Sequence, residues 1–144
     1  MLMRMTIQET PGHVGEEAEI RGWCHNLRSS GSIAFLQLRD GSGRIQGVVV
    51  KNDVSPEVWE ATKSLTIESS VIVRGKIKED ARSPLGVELG VTAVEPVQVA
   101  EEYPIGKKEH GPDFLLDHRH LWLRSSRQES ILRVRDEIRD RRDE

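Results

Sequence analysis

Residues 31–50, GSIAFLQLRDGSGRIQGVVV, constrain the fold more than any other stretch, because they alternate on both sides of a tight glycine turn. In period-two alternation Ala34, Leu36 and Leu38 point one way, and Ile33, Phe35, Gln37 and Arg39 point the other. After the turn Asp40-Gly41-Ser42-Gly43, Ile45, Gly47 and Val49 share one face, and Arg44 and Gln46 share the opposite one. The pattern predicts a hairpin with an oily side and a side that offers one aromatic ring among amides and guanidinium groups.

A hairpin of this kind needs partners to cover its oily side. Upstream, residues 17–27 alternate as a strand, with Ala18, Ile20 and Cys24 against Glu19, Arg21 and His25. Gly22 in its middle predicts a bend or bulge, and Arg28-Ser29-Ser30-Gly31 reads as the loop into the hairpin. The lead-in before it ends in the breaker pair Pro11-Gly12. Downstream, Ser55, Pro56 and Glu57 form a helix start, and Val58, Ala61, Thr62 and Leu65 form one helical face suited to plugging a barrel end. Residues 70–79 make a fourth strand, with Val71, Val73, Gly75 and Ile77 inward and Ile72, Arg74, Lys76 and Lys78 outward. Residues 87–99 make a fifth, with Val87, Leu89, Val91 and Ala93 against Glu88, Thr92 and Val94, and Pro96 predicts an edge. Three strands, a helix and two strands match the plan of a five-stranded OB barrel, a mostly β fold with one capping helix. The expected domain spans residues 1–99. Residues 100–124 read as a linker, and residues 125–144 as a helix with Ile131, Leu132, Val134 and Ile138 along it.

Composition narrows the function classes. Aromatic residues make up only 4% of 144, so the core must be aliphatic and each aromatic is informative. A formal net charge of -3 argues against indiscriminate nucleic-acid binding, although a local basic face can coexist with it. Cys24 is the single cysteine, which excludes an internal disulfide and two-cysteine metal motifs and suits a reducing, cytoplasmic setting. The N-terminal residues hold no sustained apolar run, so neither a signal peptide nor a membrane span is expected. His110, His118 and His120, with Asp113 and Asp117, match no common zinc spacing, and no metal site is expected. Cys24 reads as a small buried hydrophobe, since no activating partner stands at a defined distance. Charge runs such as Lys107-Lys108-Glu109 and residues 139–144 read as solvated faces. Neither a phosphate loop nor a nucleophile elbow is present, and no catalytic residue is expected.

On the polar barrel face the expected residues are Arg28, Phe35, Gln37, Arg39, Arg44, Gln46, Lys76 and Lys78. A phenylalanine in a strand is core by default. Its convergence with Gln46 and several cations on one face instead suggests a single-stranded nucleic-acid surface with one stacked base.

Several quoted segments resemble one family. Gly22-Trp23-Cys24-His25-Asn26-Leu27-Arg28, Ala34-Phe35-Leu36-Gln37-Leu38-Arg39-Asp40-Gly41 and Ile45-Gln46-Gly47-Val48 resemble the N-terminal anticodon-binding OB domain of the aspartyl/asparaginyl branch of class II aminoacyl-tRNA synthetases. Tyr103-Pro104-Ile105-Gly106-Lys107-Lys108-Glu109-His110-Gly111 and Leu116-Asp117-His118-Arg119-His120-Leu121-Trp122-Leu123-Arg124 resemble the asparaginyl hinge, with the aspartyl type as the alternative. The resemblance implies that Phe35 stacks on the middle anticodon base, that Gln46 hydrogen-bonds it and that Arg28 meets the loop backbone or a neighbouring base. Lys76, Lys78 and Glu88 match the family's strands rather than a motif, and Glu88 would help choose the third base. The partner implied is the tRNA anticodon loop, without a membrane. The full-length family uses ATP and magnesium and forms a homodimer. This chain stops inside the helix that leads into the catalytic domain, so no cofactor, no aminoacylation on its own and an open choice between monomer and dimer are expected. Rival readings are a stand-alone OB module for single strands and a protein-docking module using residues 125–144.

Overall fold

The computed structural model describes residues 2–105 and 110–142. The centre of the hinge motif, with Lys107-Lys108-Glu109, and the last two residues of the C-terminal charge run lie outside the described residues. Two compact units divide between Glu102 and Tyr103.

The first unit is an OB barrel. Its strands are β1 (Met3–Arg4), β2 (Glu17–Ser30), β3 (Ile33–Arg39), β4 (Arg44–Val50), β5 (Ser70–Glu79) and β6 (Val87–Gln98), with α1 (Pro56–Ser64) between β4 and β5. The order β2-β3-β4-β6-β5 closes on itself through β2–β5 pairing, and β1 adds a two-residue parallel extension to β2. The β4–β6 contact is parallel and the other barrel ladders are antiparallel. Inward alternation delivers an aliphatic core: Ile20, Leu36, Leu38, Ile45, Val49, Val73, Ile77 and Leu89 are all at or below 2% exposure. Ser55 caps α1 by accepting the Val58 N–H at 3.3 Å. The helix buries Trp59, Thr62 and the following Leu65; Trp59 is a core residue that the helical face drawn from the sequence left out.

Several local expectations change. The lead-in is a 3-10 helix over Ile7–His13 that contains Pro11 and Gly12 instead of breaking there. The Asp40 carboxylate ties it to the hairpin, accepting the Ile7 N–H at 2.9 Å through one oxygen and the Ser42 N–H at 2.8 Å through the other. Gly22 is not the bulge of β2. It stands beside Trp23, where the strand passes from pairing with β5 to pairing with β3, and a Cβ there would lie 2.3 Å from the Arg39 carbonyl oxygen. The bulge falls at His25, between the pairs Cys24–Leu38 and Asn26–Gln37. In β6 the ladder shifts between Val91 and Ala93, so Val94 turns inward to 7% exposure against the expected alternation. Pro96 is an edge residue only locally, because the first half of β6 pairs on both sides.

On the flank of β2 away from β3, Glu19 receives Arg21 Nε and Arg74 Nε, each at 3.0 Å. These two guanidinium hydrogen bonds hold its carboxyl below the usual carboxylate range, against the opposing effect of burial.

The second unit holds α2 (Pro112–Asp117), α3 (Arg119–Trp122) and α4 (Ser126–Arg142). Residues 112–122, within the stretch read as a linker, therefore contain two short helices. Phe114 lies between His110, stacked at a centroid distance of 4.3 Å, and His118, tilted by 33° at 4.4 Å. Along α4 Ile131, Leu132, Val134 and Ile138 are exposed, and Glu129–Arg133 and Glu137–Arg141 pair at i,i+4.

Candidate nucleic-acid interface

The ladders place the outward side chains in two rows. One runs Arg28, Phe35, Val48, Gly90, Lys76 through successive register pairs on β2, β3, β4, β6 and β5. The other begins Asn26, Gln37, Gln46 and ends in the Glu88–Lys78 pair; Gln46 and Glu88 each precede the paired residues Gly47 and Leu89. The sheet thus gathers all five candidate residues, Arg28, Phe35, Gln46, Lys78 and Glu88, on the outside of one barrel.

They are not equivalent there. A depression of about 700 Å³ is lined by Arg28, Phe35, Gln37, Arg44 and Gln46, with Asp80 and Arg82 to Leu85 from the β5–β6 loop forming its far wall. Lys76, Lys78 and Glu88 continue the rows around the barrel and do not line the depression. Lys78 lies flat across β6: a methyl group on Gly90 would sit 2.8 Å from its Cε and 3.0 Å from its Nζ. Asn26 joins the amide row and was missed from the sequence, since its side of the strand depends on the His25 bulge.

Phe35 stays half-buried, and the Arg28 guanidinium carbon stands 5.4 Å from its ring centroid. That contact is a cation–π arrangement. Arg28 belongs to β2 itself, which runs to Ser30 and leaves only Gly31 and Ser32 as the turn. Gly31 takes φ +60, the left-handed region where glycine carries no Cβ penalty.

Arg39 leaves the face. Its Nη1 and Nη2 donate to the two Glu68 carboxylate oxygens at 2.8 and 2.7 Å, and Nη1 lies 3.2 Å from His25 Nδ1. The paired side chains are only 10% and 9% exposed. A bidentate pair of this kind fixes the end of β3 to the turn before β5 and removes a cation that alternation alone assigns to the ligand side.

Cys24 is fully buried, and burial followed by the nearby Glu68 charge pushes its thiol up to about 11. A thiol-specific disulfide reagent at pH 8 should leave the native chain unmodified and titrate one thiol after unfolding in urea. Fast labelling of the native protein would contradict the buried site. Among the described residues no group of three or more His, Cys, Asp or Glu could hold a metal ion, and no helix is long and apolar enough to cross a membrane.

The family model described as the tRNA anticodon OB-fold nucleic acid binding domain matches residues 18–97. The chain belongs to this family. As an anticodon-type OB domain it is 56% identical over 134 residues to the asparagine–tRNA ligase of Symbiobacterium thermophilum, covering 93% of this chain and 31% of that protein. Among solved structures it is similar to the asparaginyl-tRNA synthetase of Pyrococcus horikoshii, at 38% identity and a TM-score of 0.81 over 92% of this chain and 32% of that one. The Entamoeba histolytica asparaginyl-tRNA synthetase in complex with asparaginyl-adenylate aligns at 26% identity and a TM-score of 0.76, over 94% of this chain and 33% of that one. The chain therefore spans about a third of the length of these relatives. The matched OB domain contains every residue of the depression.

Proposed function

We propose that this anticodon-type OB domain reads the anticodon loop of asparagine tRNA as part of an asparaginyl-tRNA synthetase. The observation that carries the reading is a lone outward phenylalanine in a basic depression, one register row from paired glutamines. An aromatic face binds any base by stacking, worth about 1–3 kcal/mol, and so anchors without selecting. Selection falls to Gln46, whose carboxamide offers a donor and an acceptor to a uridine edge that alternates acceptor, donor, acceptor. A carboxamide free to flip would accept cytosine as readily, so its orientation has to be held. Gln37, the register partner of Gln46 on β3, is the neighbouring amide placed to hold it. Arg28 closes the edge of the ring and meets the loop backbone.

In this reading Lys76, Lys78 and Glu88 act outside the depression, on flanking nucleotides. Attachment of asparagine with ATP and magnesium is then the reaction of the full-length protein, of whose length relatives of this kind show this chain to span about a third. The working setting is the cytoplasm, with the full-length protein as a homodimer.

Titration of the chain with an asparagine anticodon stem-loop tests the reading. Changing the middle uridine to cytidine should weaken binding about 10-fold, and Gln46→Ala should abolish most of that difference while lowering affinity for the uridine loop. Equal affinity for both loops and for unrelated oligonucleotides would replace anticodon reading by general single-strand binding.

A further inference from the structure

The depression is longer than one stacked base requires, and its two ends differ in chemistry. Phe35 and Arg28 occupy one end and the Gln37–Gln46 pair the middle. At the other end stands Arg44, the first residue of β4, with Arg82 on the β5–β6 loop wall. Along β4, Arg44 is four residues from Val48, the register partner of Phe35, a separation of about 13 Å at strand spacing. The register partner of Arg44 is Arg39, whose charge is consumed by Glu68. The Arg82 side chain is 94% exposed, with its Nε 3.5 Å from Asp80 Oδ1. Among the described residues that line the depression, Asp80 supplies the carboxylate and Arg28, Arg44 and Arg82 the guanidinium groups, and Asp80 also accepts the Arg82 backbone N–H at 3.0 Å.

We propose that Arg44 and Arg82 form a phosphate subsite that binds a backbone phosphate flanking the stacked nucleotide. The proposal rests on the anticodon-loop reading above and adds to it a register device: the ring holds a base, and the far guanidinium pair fixes how the backbone leaves it. A guanidinium carries five donors in a planar fork, so Arg44 keeps its contact within the protein and still presents N–H groups to a phosphate. The ligand at this end is a phosphate because both arginines there present planar donor forks, while the amides that suit base edges lie in the middle.

Salt dependence and a phosphate-by-phosphate scan test it on the intact chain. In stem-loop titrations Arg44→Gln and Arg82→Gln should each weaken binding about 5- to 10-fold near physiological salt. Each should also flatten the slope of log K against log salt by about 0.7, while Arg44→Lys keeps the slope. The preference for uridine at the middle position should persist in all three variants. A scan of single neutral methylphosphonates through the loop should contain one position at which Arg44→Gln costs nothing further. An unchanged slope in either glutamine variant, or an equal Arg44→Gln penalty at every scanned position, would overturn the subsite. The exposed Arg82 makes its variant independent of folding. Failure of the underlying reading looks different, since Phe35→Ala and the middle-base change would then leave affinity untouched whatever the arginine variants do.

Discussion

Replacing Glu68 by alanine should lower the unfolding free energy by about 3–5 kcal/mol, read as a shift of the urea midpoint at constant slope. The loss exceeds that of a surface ion pair because the Arg39 and Glu68 side chains are only 10% and 9% exposed. Removing the carboxylate leaves a guanidinium inside the barrel wall without its counter-charge. Glu68 takes φ 73, a left-handed conformation that costs alanine and glutamate alike, so the substitution isolates the ion pair from backbone strain. Adding Arg39→Met to Glu68→Ala should restore a large part of the stability, because no lone charge then remains to be desolvated. A Glu68→Ala variant within 1 kcal/mol of the parent would mean that Arg39 finds water in its place.

Phe35→Ala should weaken anticodon stem-loop binding by about 10- to 100-fold, from the loss of one base–aromatic stack. Fold stability should change little, since the ring is half-buried on the outer surface and takes no part in the aliphatic core. This separates Phe35 from Leu36 beside it, which is fully buried and whose truncation would open a cavity at a cost of about 2–5 kcal/mol. Calorimetric titration and thermal unfolding of both variants resolve the two roles. Phe35→Leu should recover little binding, because a leucine fills the space without a π face. Unfolding of the Phe35→Ala variant, with binding unchanged in its folded fraction, would return the ring to the core.

Much of the fold was legible because each barrel strand buries one face and alternates with period two. Ala34, Leu36 and Leu38 in β3, and Val71, Val73 and Ile77 in β5, lie inward as their spacing requires. The same logic failed wherever a ladder gained a residue. Val94 turned inward after the shift in β6, and Trp59 went to the core through helix placement that spacing alone did not reveal. Arg39 carried no sequence sign of its partner, because Glu68 lies 29 residues away and meets it only when the barrel closes. Lys78 and Glu88 reached the expected surface but fell outside the depression, since barrel curvature carries the rows away from Phe35.

The hairpin over residues 31–50 determined by itself that Phe35 and Gln46 share a polar face, since both lie in unbroken alternation across a two-strand register. Arg44 comes with them on the same alternation, but that Arg28 joins them and Arg39 leaves them was decided only in three dimensions. Counted from Cys24, which points inward, Arg28 would also point inward in a regular strand. The extra residue at His25 reverses the parity, so that Asn26 and Arg28 emerge on the Phe35 side. A bulge is specified by how two strands twist and close a barrel, a condition on distant segments that no local spacing records.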